Sequence, residues 1–213
     1  MKYFLIFIFS FFYYPIFFGQ VEKGSLLSGK FASKKWSAEF NISQYSASLI
    51  YPRFSNFHPG LNALGSYRYN KNERLQLRQD FIFGFFYHKH FQTVVQLYSE
   101  LNLKLKFFKK FYWSPIVIGG GYLASILNMQ SFIWDGNQYI VKKSTLKNNW
   151  LISLGTNIEI PTNIQLIQRY INLTLKYRIQ IQGTIIKNNV PIIAYSPLSI
   201  GINFPINKLN DED

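Results

Sequence analysis

Residues 93 to 107 read TVVQLYSELNLKLKF, and the hydrophobic positions fall on one parity. Val95, Leu97, Leu101, Leu103, Leu105 and Phe107 alternate with Gln96, Glu100, Asn102, Lys104 and Lys106. A period of two is the signature of a strand with one apolar and one polar face. The pattern returns from Tyr170 to Gln182, where Ile171, Leu173, Leu175, Tyr177, Ile179 and Ile181 oppose Asn172, Thr174, Lys176, Arg178, Gln180 and Gln182. Between Leu75 and His88, Leu77, Phe81, Phe83, Phe85 and Tyr87 oppose Gln76, Arg78, Asp80, Gly84 and His88. Between Trp150 and Ile160, Ile152, Leu154 and Ile158 oppose Ser153, Gly155, Asn157 and Glu159. Residues 61–70, 112–127 and 195–206 give weaker versions, and Trp36, Ala38, Phe40 and Ile42 mark a first strand within residues 35–50. The pattern predicts an all-β chain of about eight strands, or ten if residues 22–33 add pairing.

The connections fall into two classes. NKNE (70–73), KFFKKF (106–111) and EIPTN (159–163) read as short turns joining strands two to three, four to five and six to seven. YPRFSNFHPG, residues 128–148 and residues 183–192 are longer or irregular, while the KHF connection is as tight as the short turns. Short turns at one end and long loops at the other match a closed antiparallel transmembrane β-barrel. Closure is required there, because an open edge leaves backbone donors and acceptors unpaired in hydrocarbon.

Alternation alone does not say which face is outside, since a soluble barrel carries its apolar face inward. The polar parity is rich in Gln, Asn, Ser, Thr and Gly, which suits a crowded lumen better than a solvated exterior. Trp36, Tyr69, Tyr112, Trp113, Trp150 and Phe204 lie at strand ends, where an interfacial girdle places aromatic residues. The expected orientation is apolar to lipid and polar to lumen.

Composition sharpens this. The 213 residues contain no Cys, which excludes disulfides, thiolate metal sites, thiol nucleophiles and a lipid-modified N-terminal Cys. The N-terminus, MKYFLIFIFSFFYYPIFFGQ, carries one Lys and then an apolar run from Tyr3 to Phe18. As a helix that run spans roughly 24 Å, short of a hydrocarbon core of about 30 Å. Residues 1–19 therefore read as an export signal, and 20–213 as the barrel domain. The formal charge is +13, from Lys+Arg 23 against Asp+Glu 10. The basic residues are scattered with no helical stripe, so phosphorylated glycolipid head groups or acidic surface glycans are expected counter-charges and nucleic acid is not, with a solvated basic surface that has no specific ligand as the alternative.

The last strand reads SIGINFPI. Ser199, Gly201, Phe204 and Ile206 resemble the terminal-strand signal of outer-membrane β-barrels, a polar residue, a Gly two positions on, then two apolar or aromatic residues spaced by two. The chain continues as NKLNDED, where many such proteins end on the aromatic residue. With YPRF, HPG, FFYHKH and QLYSEL, residues 36–206 resemble small outer-membrane barrels of the Bacteroidetes type, in the OmpA/OmpX-like transmembrane class. The resemblance implies the bacterial outer membrane, outer-membrane lipid or lipopolysaccharide and the barrel-insertion machinery as partners, and a monomer. It implies no activity and no cofactor.

An eight-stranded barrel is just wide enough for side chains to fill it. Arg78, Asp80, Glu100 and Lys104 share the lumenal parity, and a hairpin turning near residue 90 brings Asp80 opposite or diagonal to Glu100. Interleaved charges neutralise one another, so a structural plug is expected before acid/base or ion-conducting chemistry. An enzyme reading needs Ser and His on the outer face, as in lipid A deacylases. Ser99 lies on the lipid-facing parity, but His88 points to the lumen and no His-x-Ser motif is present; His88, His90 and His58 read as loop or interface residues. No third ligand completes a metal site with His88 and His90. The expected function is a non-enzymatic barrel for envelope integrity or surface ligand binding. Loop 128–148, with Trp134, Asp135, Tyr139, Lys142 and Lys143, is the candidate contact surface. A lipid acyl hydrolase and a secreted soluble ligand-binding barrel are the alternatives.

Overall fold

The computed structural model describes residues 36–46, 58–72, 74–89, 91–107, 111–128, 131–142, 146–166, 169–184 and 192–206. The expected signal segment, residues 22–33, His90, Lys143 and the NKLNDED tail lie outside them. The strands are β1 (Trp36–Gln44), β2 (Pro59–Arg68), β3 (Leu75–Tyr87), β4 (Gln92–Phe107), β5 (Phe111–Leu127), β6 (Ser131–Trp134), β7 (Tyr139–Lys142), β8 (Leu146–Leu166), β9 (Arg169–Thr184), β10 (Ile192–Tyr195) and β11 (Leu198–Pro205).

Every neighbouring pair is antiparallel, and the ring closes where β11 pairs with β1, from Ser37↔Pro205 to Gln44↔Leu198. β10 and β11 form one stave: both pair with β9, and the register continues from Tyr195↔Gln180 to Leu198↔Tyr177 across Ser196–Pro197. The described residues thus make a closed barrel of eight staves, with β6 and β7 as a separate hairpin. Direct pairing of β1 with β11 leaves no place between them for the extra staves of a ten-stranded alternative.

The period-two pattern becomes two faces. Ile42, Leu97, Ile152 and Ile200 on four different staves are 65%, 60%, 51% and 63% exposed, while Asn41, Gln96, Ser153 and Ser199 beside them are buried. The barrel interior is where polar side chains go, which inverts the arrangement of a soluble protein. Of the stretch 93–107, only Lys106 departs from its expected face: the strand ends there, and Lys106 is exposed near the Tyr112 ring.

EIPTN is not the turn its composition suggests. β8 continues through it to Leu166, and the ladder with β9 shifts register between Pro161 and Gln165. A bulge accommodates a residue with no backbone N–H, so Pro161 bends the stave without ending it. Similar shifts occur between Leu103 and Leu105 and between Ser114 and Val117, both also at the short-turn end.

Candidate functional site

The lumen holds two layers. Towards the long-loop end, Tyr45, Phe86 and Tyr195 pack ring against ring, with Tyr45 stacked on Phe86 at 4.0 Å, and Leu64, Ile82, Val94, Tyr98, Leu123 and Leu151 complete an apolar cluster. Tyrosine hydroxyls in this layer are anchored from other staves. Gln96 Nε2 donates to Tyr45 at 2.7 Å, Gln92 Nε2 to Tyr195 at 2.9 Å and Gln180 Nε2 to Tyr98 at 3.1 Å. Sequence reading assigned the inward parity to polar residues and missed this layer. The visible signal was the double apolar steps Phe85–Phe86 and Val94–Val95, where alternation fails because both faces are covered.

Towards the short-turn end the layer is charged. Asp80 lies directly across from Glu100 in the β3–β4 ladder, and Arg78 is across from Asn102. These neighbours do not pair with each other. Glu100 crosses the lumen to β9, where Arg178 grips it with Nε at 2.9 Å from Oε1 and Nη2 at 2.9 Å from Oε2, while Ser153 Oγ donates to Oε1 at 2.7 Å. Lys104 pairs with Glu159 of β8, and Lys176 of β9 pairs with Glu39 of β1 at 2.7 Å. Asp80 accepts from Asn102 Nδ2 at 3.2 Å, and Arg78 Nε donates to Gln76 Oε1 at 3.1 Å. Of the four residues expected to interact, the structure brings all four into the charged layer but gives each a different partner. Glu39, Glu159, Lys176 and Arg178 were missed because a single sequence does not specify which staves face one another across the lumen.

Glycines make room for these crossings. A Cβ at Gly119 would run into Ser99 O and sit 2.5 Å from Glu100 Cγ, and one at Gly155 would sit 2.5 Å from Arg178 Cδ. The Glu100–Arg178 pair therefore lies flat along walls that carry no side chain. Among the described residues the lumen keeps small spaces, two of them of about 10 Å³ and 20 Å³. Each is about the size of one or two water molecules, with no room for a cargo.

The terminal-strand residues divide by face. Ser199 faces inward and pairs with Ser43 Oγ at 2.7 Å; Gly201 is inward, where the Asn41 side chain fills the space a Cβ would take. Phe204 faces outward beside Phe40, with centroids 6.1 Å apart, and Ile206 is exposed.

No protein-family model matches the chain, and no curated protein matches it. Among solved structures it is similar to Neisserial surface protein A, at 17% identity and a TM-score of 0.41, over 80% of this chain and 96% of that one. It is also similar to Ail, the attachment invasion locus protein of Yersinia pestis, at 13% identity and a TM-score of 0.39, over 80% of this chain and 95% of that one.

Ser99 and His88 are not brought together. Ser99 pairs with Phe81, seven residues along β3 from His88, a separation of roughly 23 Å at 3.3 Å per residue. Ser99 Oγ instead accepts from Gln79 Nε2 at 2.9 Å, and Gln79 in turn accepts from Tyr69. His88 stacks on His58 at the end of the β2–β3 ladder, with centroids 3.6 Å apart, and His58 N–H donates to Gln44 Oε1 at 3.0 Å. Among the described residues no cluster of three metal-ligating side chains occurs.

Segment 128–148 contains the β6–β7 hairpin, closed by Asp135 and by Gly136 at φ +104°. Asp135 Oδ1 accepts from the backbone N–H groups of Asn137 at 2.9 Å and Gln138 at 2.8 Å, and these bonds, Asn137 first, hold its carboxyl below the usual carboxylate range. Cross-strand pairs Phe132–Val141 and Trp134–Tyr139 share one face, all four exposed, with the Trp134 and Tyr139 rings 5.0 Å apart.

Proposed function

We propose that this chain is a non-enzymatic, non-conducting β-barrel of the bacterial outer membrane, exported by residues 1–19, that supports envelope integrity and presents the β6–β7 hairpin to a surface ligand. The observation that carries this is the inverted distribution of polarity: every stave carries large exposed apolar side chains on its outward face, and three ion pairs, Lys104–Glu159, Lys176–Glu39 and Arg178–Glu100, are buried inside. Such a surface is stable against hydrocarbon, and a closed ring leaves no backbone edge for lipid to meet. From Trp113 to Tyr122 on β5 is nine residues, roughly 23 Å of height at a tilt of about 40°, close to the 25 Å expected of an apolar band between girdles. Trp113 Nε1 donates to Thr156 Oγ1 at 3.0 Å, and Tyr122 bonds Asn148, so both girdle residues keep their polar tips satisfied.

Short turns are then periplasmic and the hairpin extracellular. Ser199, Gly201, Phe204 and Ile206 serve recognition by the insertion machinery, and outer-membrane lipid or lipopolysaccharide surrounds a monomer. The barrel is of the Bacteroidetes type and carries no enzyme activity. Membrane fractionation followed by SDS gels of unheated and boiled samples tests it: a folded barrel in the outer-membrane fraction migrates differently in the two. Recovery in the soluble fraction would favour the secreted barrel. Deleting residues 131–142 tests the hairpin; surface binding should fall while the heat-dependent gel shift persists, and unchanged binding would remove the hairpin's role.

A further inference from the structure

The smaller internal space, of about 10 Å³, lies in the charged layer and is lined by Asp80, Asn102 and Asn157 among others. Asp80 Oδ1, Asn102 Oδ1 and Asn157 Oδ1 have no protein donor, although their residues are only 3%, 4% and 6% exposed. More than nine in ten buried polar groups are paired, and each exception costs about 1–3 kcal/mol. Three unpaired acceptors around one space call for a guest that donates.

Several of the lining donors are already directed elsewhere, Arg78 Nε among them to Gln76. Lys104 and Asn203 point to Glu159, Lys176 and Thr174 to Glu39, and Asn102 Nδ2 to Asp80 Oδ2. A cation is disfavoured as the guest. Arg78, Lys104 and Lys176 line the same space as Glu39, Asp80 and Glu159, so the charges already balance and a further positive charge would be buried without a counter-ion. Water is neutral, brings two donors, and offers lone pairs to the hydrogens that each ammonium group has left over. One water also matches the volume.

We propose that this chamber binds a single long-lived water that donates to Asp80 Oδ1 and Asn157 Oδ1, and so ties β3 to β8 across the lumen. The two donors of one water leave Asn102 Oδ1, the third acceptor, without one, while Asn102 Nδ2 stays on Asp80 Oδ2 at 3.2 Å beside the chamber. The inference goes beyond the proposed function and fails separately from it, since a dry chamber is compatible with a non-conducting barrel.

The test is water-selective NOE and ROE spectroscopy on deuterated, ¹⁵N-labelled barrel in lipid nanodiscs. The Asn102 and Asn157 side-chain amides should show cross peaks of opposite sign in the two experiments, the signature of water held for nanoseconds or longer. Asn157→Leu, which removes one acceptor and fills the space, should abolish the peak at Asn102 while keeping the gel shift of a folded barrel. If that variant does not fold, Asn102→Leu makes the same comparison at Asn157. Absence of the peaks in the unmodified protein overturns the proposal. So does a melting temperature that rises with sodium or potassium at constant ionic strength, which would mark a cation site.

Discussion

Glu100 ties several staves of the wall together: it starts on β4, lies over Gly119 of β5, accepts from Ser153 of β8 and is gripped by Arg178 of β9. Removing it leaves the Arg178 guanidinium buried without its counter-charge. Glu100→Ala should therefore destabilise the barrel by about 3–5 kcal/mol, read as a lower temperature for conversion of the folded gel band, and combining it with Arg178→Met should restore much of the loss. An unchanged conversion temperature in Glu100→Ala would show that the pair does not hold the wall. Gly119→Val should lower stability by about 1–3 kcal/mol, because the new side chain meets the Ser99 carbonyl and the Glu100 stem. The inward parity of Glu100 was legible in the sequence, and so was its nearness to Asp80, opposite or diagonal, which the ladder resolves as directly opposite. Its partner was not: Arg178 is 78 residues away, and the match depends on strand count, register and the chord across a closed ring.

At the scale of elements, strand faces were the most legible feature, since a period of two encodes them residue by residue. Boundaries were less so. EIPTN carries Pro, Thr and Asn, the composition of a turn, yet β8 passes through it because a bulge tolerates what a regular ladder does not. The hairpin within 128–148 was read as a loop, since four-residue strands are too short for alternation to stand out. Its turn should depend on pH. Asp135 is held below its ordinary value by backbone N–H groups, so its contribution is fully present above the ordinary carboxylate pKa and is lost as pH falls through the depressed folded value. The Asn137 and Gln138 amide shifts should titrate together, with a midpoint below the unperturbed Asp value of about 3.9. A midpoint at or above that value would mean that the carboxylate does not cap the turn in solution.

At the scale of the whole molecule, the closed ring of eight staves converts local alternation into an outside and an inside. Eight staves leave an interior that side chains fill, and among the described residues the two lumenal spaces are only about 10 Å³ and 20 Å³. Purified barrel in planar bilayers should accordingly give no steady ion conductance, and reproducible open steps would contradict a sealed lumen. The central claim is that the apolar face meets lipid. The absence of Cys allows a clean scan of nitroxide-labelled single-cysteine variants along β4 in lipid bilayers. Accessibility to oxygen should peak at Val95, Leu97, Leu101 and Leu103, fall at Gln96, Tyr98, Glu100 and Asn102, and exceed accessibility to a water-soluble nickel complex at every peak. Higher nickel than oxygen accessibility at Val95, Leu97 and Leu101 would place that face in water and contradict the account.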